Sequence, residues 1–130
     1  MKILLDECLP LDFRHSFPNH DTHTAQWAGL KGKKNGELLR DAEVAGYDVL
    51  LTVDQGIPHQ QFFAGRRLSV ILVRPRTNRL EDLLPLVGAI LQALETIQPG
   101  QTVAIPSQFW SLYPGPMRID YTAAAFYGLR

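Results

Sequence analysis

Apolar residues in this chain gather into short unbroken runs separated by polar turns. The most informative run is Tyr47-Asp48-Val49-Leu50-Leu51-Thr52-Val53, which closes on Asp54 and is followed by Gly56 and Pro58. A continuous branched apolar run of this length reads as a strand buried on both faces, here one that delivers Asp54 to its C-terminal rim. The opening Lys2-Ile3-Leu4-Leu5 repeats the design and ends on Asp6 and Glu7. Leu68-Ser69-Val70-Ile71-Leu72-Val73 is a third buried run, Thr102-Val103-Ala104-Ile105 a last strand, and the alternating Thr and His of Asp21 to Thr24 a short additional one.

Between the strands the period changes to that of helices. Pro10 suits the first turn of a helix running toward His15 and ending at Phe17-Pro18-Asn19. After a Gly- and Lys-rich loop from Gly29 to Gly36, Leu38, Leu39, Ala42 and Ala45 recur at helical spacing, with Gly46 placed as the residue just past the helix end. Ile57 to Ala64 reads as a short helix. The longest helix is expected from Asn78, as cap with Glu81 three residues on, through Leu80, Leu83, Leu84, Val87, Ile90, Leu91, Leu94 and Ile97, bent at Pro85. Strands alternating with helices predict an α/β fold, a three-layer α/β/α sandwich around a mostly parallel central sheet.

Composition narrows this to one domain. At 130 residues and 45% hydrophobic content the chain supports a single core, expected over residues 1–105. Residues 106–130 form an aromatic tail, with Phe109, Trp110, Tyr113, Tyr121, Phe126 and Tyr127 scattered among Pro, Gly and Ala. It reads as a packing segment, an arm exchanged in a homodimer, or a non-native extension. Cys8 is the lone cysteine, so no intrachain disulfide forms, and a reducing, cytoplasmic setting is expected. No apolar stretch reaches membrane-spanning length, so no membrane partner is expected.

Thirteen basic and thirteen acidic residues cancel, and no overall field attracts nucleic acid. The charges are unevenly spread, however. Lys31, Lys33 and Lys34 cluster in the glycine-rich loop, and Arg66, Arg67, Arg74, Arg76 and Arg79 occupy a segment without a single acid. Such groups are either solvated loops or phosphate contacts beside an acidic centre.

The candidate chemistry lies in the acids. Carboxylates crowded in an apolar setting cannot all ionise unless a cation joins them. If the first and central strands are parallel neighbours, Asp6, Glu7 and Asp54 converge with Glu37, making a candidate Mg²⁺ or Mn²⁺ site suited to phosphodiester hydrolysis. Glu37 and Asp41 stand four apart on one helix face, where like charges repel; the pair is either functional or two exposed acids balanced by Arg40 and nearby lysines. His15, His20 and His23 read as structural or exposed, whereas His59 and Gln60 sit close enough after Asp54 to contact a substrate. Trp27 either packs locally or stacks on a base.

Four segments together carry a resemblance: Ile3-Leu4-Leu5-Asp6-Glu7, Asn35-Gly36-Glu37-Leu38-Leu39, Asp48-Val49-Leu50-Leu51-Thr52-Val53-Asp54 and Asn78-Arg79-Leu80-Glu81-Asp82-Leu83-Leu84-Pro85. Over about Met1 to Ile105 they resemble a small branch of the PIN-like nuclease superfamily related to VapC-type toxins. The resemblance implies a Rossmann-like PIN fold and a Mg²⁺- or Mn²⁺-dependent ribonuclease acting on RNA, often paired with an antitoxin protein. It implies catalytic roles for Asp6, Glu37 and Asp54, metal ligation by the same three with Glu7, and substrate contacts from Lys33, Lys34, His59, Gln60, Arg66 and Arg67. Many relatives carry an aspartate near the position of Asn35, which is neutral here; either Glu37 replaces it from the same turn or the site is weakened.

Two other readings compete. A phosphoacceptor receiver also pairs acids after its first strand and has a proline four residues after its acceptor, as Pro58 follows Asp54, but it needs a lysine after its last strand and none occurs beyond Lys34. A catalytically silent interaction module keeps the fold and binds a partner protein instead.

Overall fold

A computed structural model of the chain describes residues 1–54, 56 and 67–106. The expected helix from Ile57 to Ala64 and the aromatic segment after Pro106 lie outside the described residues, as do His59, Gln60 and Arg66.

Five strands form one sheet: β1 (Lys2–Leu5), β2 (Asp21–Thr24), β3 (Val49–Thr52), β4 (Ser69–Val73) and β5 (Thr102–Ile105). All neighbours are parallel and the order is β2-β1-β3-β4-β5. The α/β architecture read from the apolar runs is therefore the one observed. β3 and β4 are buried at every position, as their unbroken apolar sequences require of strands in the sheet interior.

The helices are α1 (Ala25–Ala28), α2 (Asn35–Val44), α3 (Leu80–Leu83) and α4 (Val87–Thr96). Side chains alternate along the strands between two buried clusters. Leu4, Leu50 and Val70 join Leu38, Leu39 and Ala42 of α2, while Ile3, Leu5, Val49, Leu51 and Ile71 join Phe13, Phe17, Leu83, Ile90 and Leu94. Each methylene so removed from water contributes about 0.8 kcal/mol, which is why such regular alternation fixes the register.

Local chemistry explains where the helices differ from expectation. The segment after Pro10 is a 3-10 helix, Leu11–Ser16, and Pro10 flanks it rather than opening its first turn. The long helix expected from Asn78 is divided into α3, a 3-10 turn at Leu84–Leu86, and α4, because Pro85 has no N–H to continue the ladder. Its cap position is Arg79, and Asn78 instead donates its Nδ2 to the Cys8 carbonyl at 2.9 Å. α1 has no counterpart in the sequence reading: the Thr24 hydroxyl accepts from the Trp27 N–H at 3.1 Å, and Gly29 ends the turn at φ 78°. Gly46, at φ 90°, closes α2 as expected.

Candidate functional site

The strand order changes direction at β1 and β3: β1 is followed in sequence by β2 on one side, and the chain then crosses to build β3, β4 and β5 on the other. The crevice outside the carboxyl ends of the strands at such a switch point is where open α/β sheets place their ligands. Asp6 follows β1 directly, its N–H donating to the Leu51 carbonyl of β3 at 3.0 Å, and Asp54 lies two residues beyond the end of β3. The topology thus sets both acids on the rim of neighbouring strands.

A third side chain ties them together. Thr52, the last residue of β3, is fully buried; its hydroxyl donates to Asp6 Oδ2 at 2.6 Å and accepts from the Asp54 N–H at 3.0 Å. The Glu7 N–H reaches Asp6 Oδ1 at 2.8 Å. Asp6, only 9% exposed, therefore has a hydrogen bond on each oxygen and a fixed direction. Asp54 is exposed, with Oδ1 taking the Gly56 N–H at 2.9 Å. Charge-assisted bonds of this kind are short and directional, so they orient a carboxylate as well as stabilise it.

Asp6, Glu7, Cys8 and Asp54 line one cleft of about 370 Å³ together with Lys33, Lys34, Leu38 and Val53. Three of the expected site acids, Asp6, Glu7 and Asp54, are thus brought from the strand ends to a single opening, with both lysines of the expected substrate set. Glu7 is partly engaged, its Oε1 accepting from the Gly32 N–H. Burial pushes the Cys8 thiol above its ordinary value and the Asp6 charge adds to that, against lowering contacts from the Val53 backbone and the Thr52 hydroxyl. An unreactive thiol follows.

Glu37 does not line this cleft. Lys33 Nζ lies 3.3 Å from Glu37 Oε2 and 3.0 Å from Asp41 Oδ2, so one ammonium accounts for two acids that would otherwise repel along α2. The same contacts, Asp41 foremost, raise the Lys33 pKa. Arg67, the remaining described member of the expected substrate set, lines a different cleft, at the opposite end of the strands with Met1, Asp48 and Ser69. His23 makes its bonds within the fold, to Tyr47 Oη and Asp21 Oδ1, both at 2.8 Å, with the Trp27 ring tilted against it at 4.1 Å between centroids. Trp27 is otherwise open to solvent.

Among the described residues no group of three His, Cys, Asp or Glu side chains is placed to hold a metal ion. The residues that could hold a divalent ion in this cleft are Asp6 and Asp54, since magnesium takes one or two carboxylates and keeps several waters. Thr52 is the residue sequence reading missed. Its signal was a hydroxyl at the end of an otherwise apolar buried strand, two residues before an acid.

Comparison of the chain with protein-family models, with curated proteins and with solved structures finds no match. No helix among the described residues is long and apolar enough to cross a membrane.

Proposed function

We propose that this chain is a divalent-metal-dependent ribonuclease of the PIN-like kind, hydrolysing RNA phosphodiester bonds at the carboxyl edge of β1 and β3. The observation that carries the reading is the placement of Asp6 and Asp54 on adjacent strand ends, bridged by the Thr52 hydroxyl and lining one cleft with Lys33 and Lys34. Asp6 and Asp54 hold the Mg²⁺ or Mn²⁺. When bound, such an ion polarises a phosphoryl oxygen and lowers the pKa of a coordinated water. Thr52 keeps Asp6 turned toward the cleft, Lys34 meets the phosphate charge, and Leu38 and Val53 supply the apolar wall that limits water around the acids. Glu37 joins only when Lys33 releases it. A VapC-type pairing with an antitoxin, a homodimer and a cytoplasmic setting belong to the same proposal.

Incubation of single-stranded RNA with Mn²⁺ tests it. Wild-type chain cleaves, EDTA stops cleavage, and Asp6→Asn or Asp54→Asn abolishes it while thermal unfolding of the Asp54 variant stays nearly unchanged. Full activity in either variant removes the assignment.

A silent interaction module is the second reading, favoured by the capture of Glu37 by Lys33, which leaves the cleft short of a third fully free acid among the described residues. RNA left intact under every metal condition, with retention of a partner protein, selects it. The order β2-β1-β3-β4-β5 is shared by receiver domains; labelling of Asp54 by acetyl phosphate would select that class instead.

A further inference from the structure

A second cleft opens at the same edge of the sheet. It measures about 380 Å³ and is lined by Val53, Val73, Arg74, Pro75, Thr77 and Asn78. Val53 also lines the cleft of Asp6 and Asp54, so the two share a wall at the end of β3. Arg74 directly follows β4 and therefore stands one strand over from Asp54 on the carboxyl rim. Its N–H donates to the Ile105 carbonyl at 2.7 Å, which fixes the root of the side chain.

The guanidinium itself meets no acid, acceptor or aromatic ring among the described residues. Several other cations are engaged: Arg79 lies 3.4 Å from Glu81, Arg14 reaches the Leu11 carbonyl at 2.8 Å, and Lys33 holds Glu37 and Asp41. Arg74 is nevertheless half-buried. A guanidinium that lines a cleft and has no acid partner among the described residues is free to meet an anion that enters there. Among the described residues no carboxylate lines the cleft. The other two polar side chains there are engaged, Thr77 with Asp82 and Asn78 with the Cys8 carbonyl, which leaves Arg74 as the group that answers a ligand.

We infer that Arg74 is a phosphate-binding subsite for the RNA backbone, next to the one held over Asp6 and Asp54. The strand then runs across the ends of β1, β3 and β4, from Lys34 on one flank to Arg74 on the other, with the acids between. A guanidinium suits this role because its planar fork takes two phosphate oxygens at once. The inference rests on RNA being the substrate, and it specifies the path of the strand.

Binding of a fluorescein-labelled single-stranded oligoribonucleotide, followed by anisotropy across a salt series in the Asp54→Asn background, tests it without requiring cleavage. Arg74→Ala weakens binding and lowers the slope of log affinity against log salt by about 0.7, the contribution of one phosphate contact on a single strand. Arg74→Lys retains the slope while binding more weakly than Arg. A structural role alone shifts thermal unfolding and leaves the slope intact. An unchanged slope in Arg74→Ala, no oligoribonucleotide binding at any salt, or an effect confined to competition by inorganic phosphate overturns the inference. Wild-type chain that binds with the Arg74-dependent slope but never cleaves keeps the subsite and removes the nuclease.

Discussion

Replacing Thr52 with Val keeps shape and burial while deleting the hydroxyl that joins the two rim acids. Thr52 is 0% exposed, and its bond to Asp6 Oδ2 at 2.6 Å is to a carboxylate oxygen inside the protein. A hydrogen bond to a charged partner contributes about 1.5 to 3 kcal/mol. The Asp54 N–H loses its acceptor as well, at 3.0 Å, which adds about 0.5 kcal/mol for a group partly open to water. The expected loss is therefore roughly 2 to 3.5 kcal/mol. At about 4 °C per kcal/mol for a chain of this length, the midpoint of thermal unfolding falls by roughly 8 to 14 °C. Urea unfolding at neutral pH measures the loss directly, with an unchanged m-value showing that the denatured state is not the cause. Thr52→Ser keeps the hydroxyl and gives up one methyl, for about 1 kcal/mol. A Val variant within about 0.5 kcal/mol of wild type, or a Ser variant as damaged as the Val one, refutes the claim that the hydroxyl holds Asp6.

Three further outcomes follow from the same structure. Leu50→Ala removes a side chain with no exposed surface between β3 and α2, and costs about 2 to 5 kcal/mol in urea unfolding. Gly46→Ala places a Cβ at φ 90°, a conformation that costs an L-residue about 1 to 2 kcal/mol, although the nearest atom, Lys2 Nζ, is 3.7 Å away; a thermal midpoint equal to wild type contradicts a backbone origin. The raised Cys8 pKa means that the folded chain binds the thiol proton more tightly than the unfolded chain, so this group's contribution to stability is present at neutral pH and is lost as pH climbs through the alkaline thiol range. Iodoacetamide labelling of the native chain accordingly becomes rapid only at a pH above that of the urea-unfolded chain, and coincident profiles reject the assignment.

How much of this was legible in the sequence depended on the range of the interaction concerned. β1, β3 and β4 could be read because a strand buried on both faces must be apolar throughout, and Asp6 and Asp54 because an acid ending such a run has the strand rim as its place. The effect of Pro85 was legible from its missing N–H. α1 was not, since four residues held by a threonine and a glycine leave no period to detect. Asn78 matched a cap in sequence, but the Cys8 carbonyl, brought close only by the fold, takes its amide. Glu37 shows a similar competition, in which Lys33, four residues before it, holds the carboxylate that the acid cluster was expected to share. Thr52 carried its role in a single buried hydroxyl whose two partners come from different strands, a relation visible only once β1 and β3 are adjacent.

The central claim is that Asp6 and Asp54 share one divalent ion. Anomalous diffraction from a Mn²⁺-soaked crystal tests it most directly. The account predicts one peak about 2.1 Å from an oxygen of each carboxylate, absent when Asp54→Asn crystals are soaked in the same way. No peak between these two residues, or a peak that the Asp54 substitution leaves in place, contradicts it.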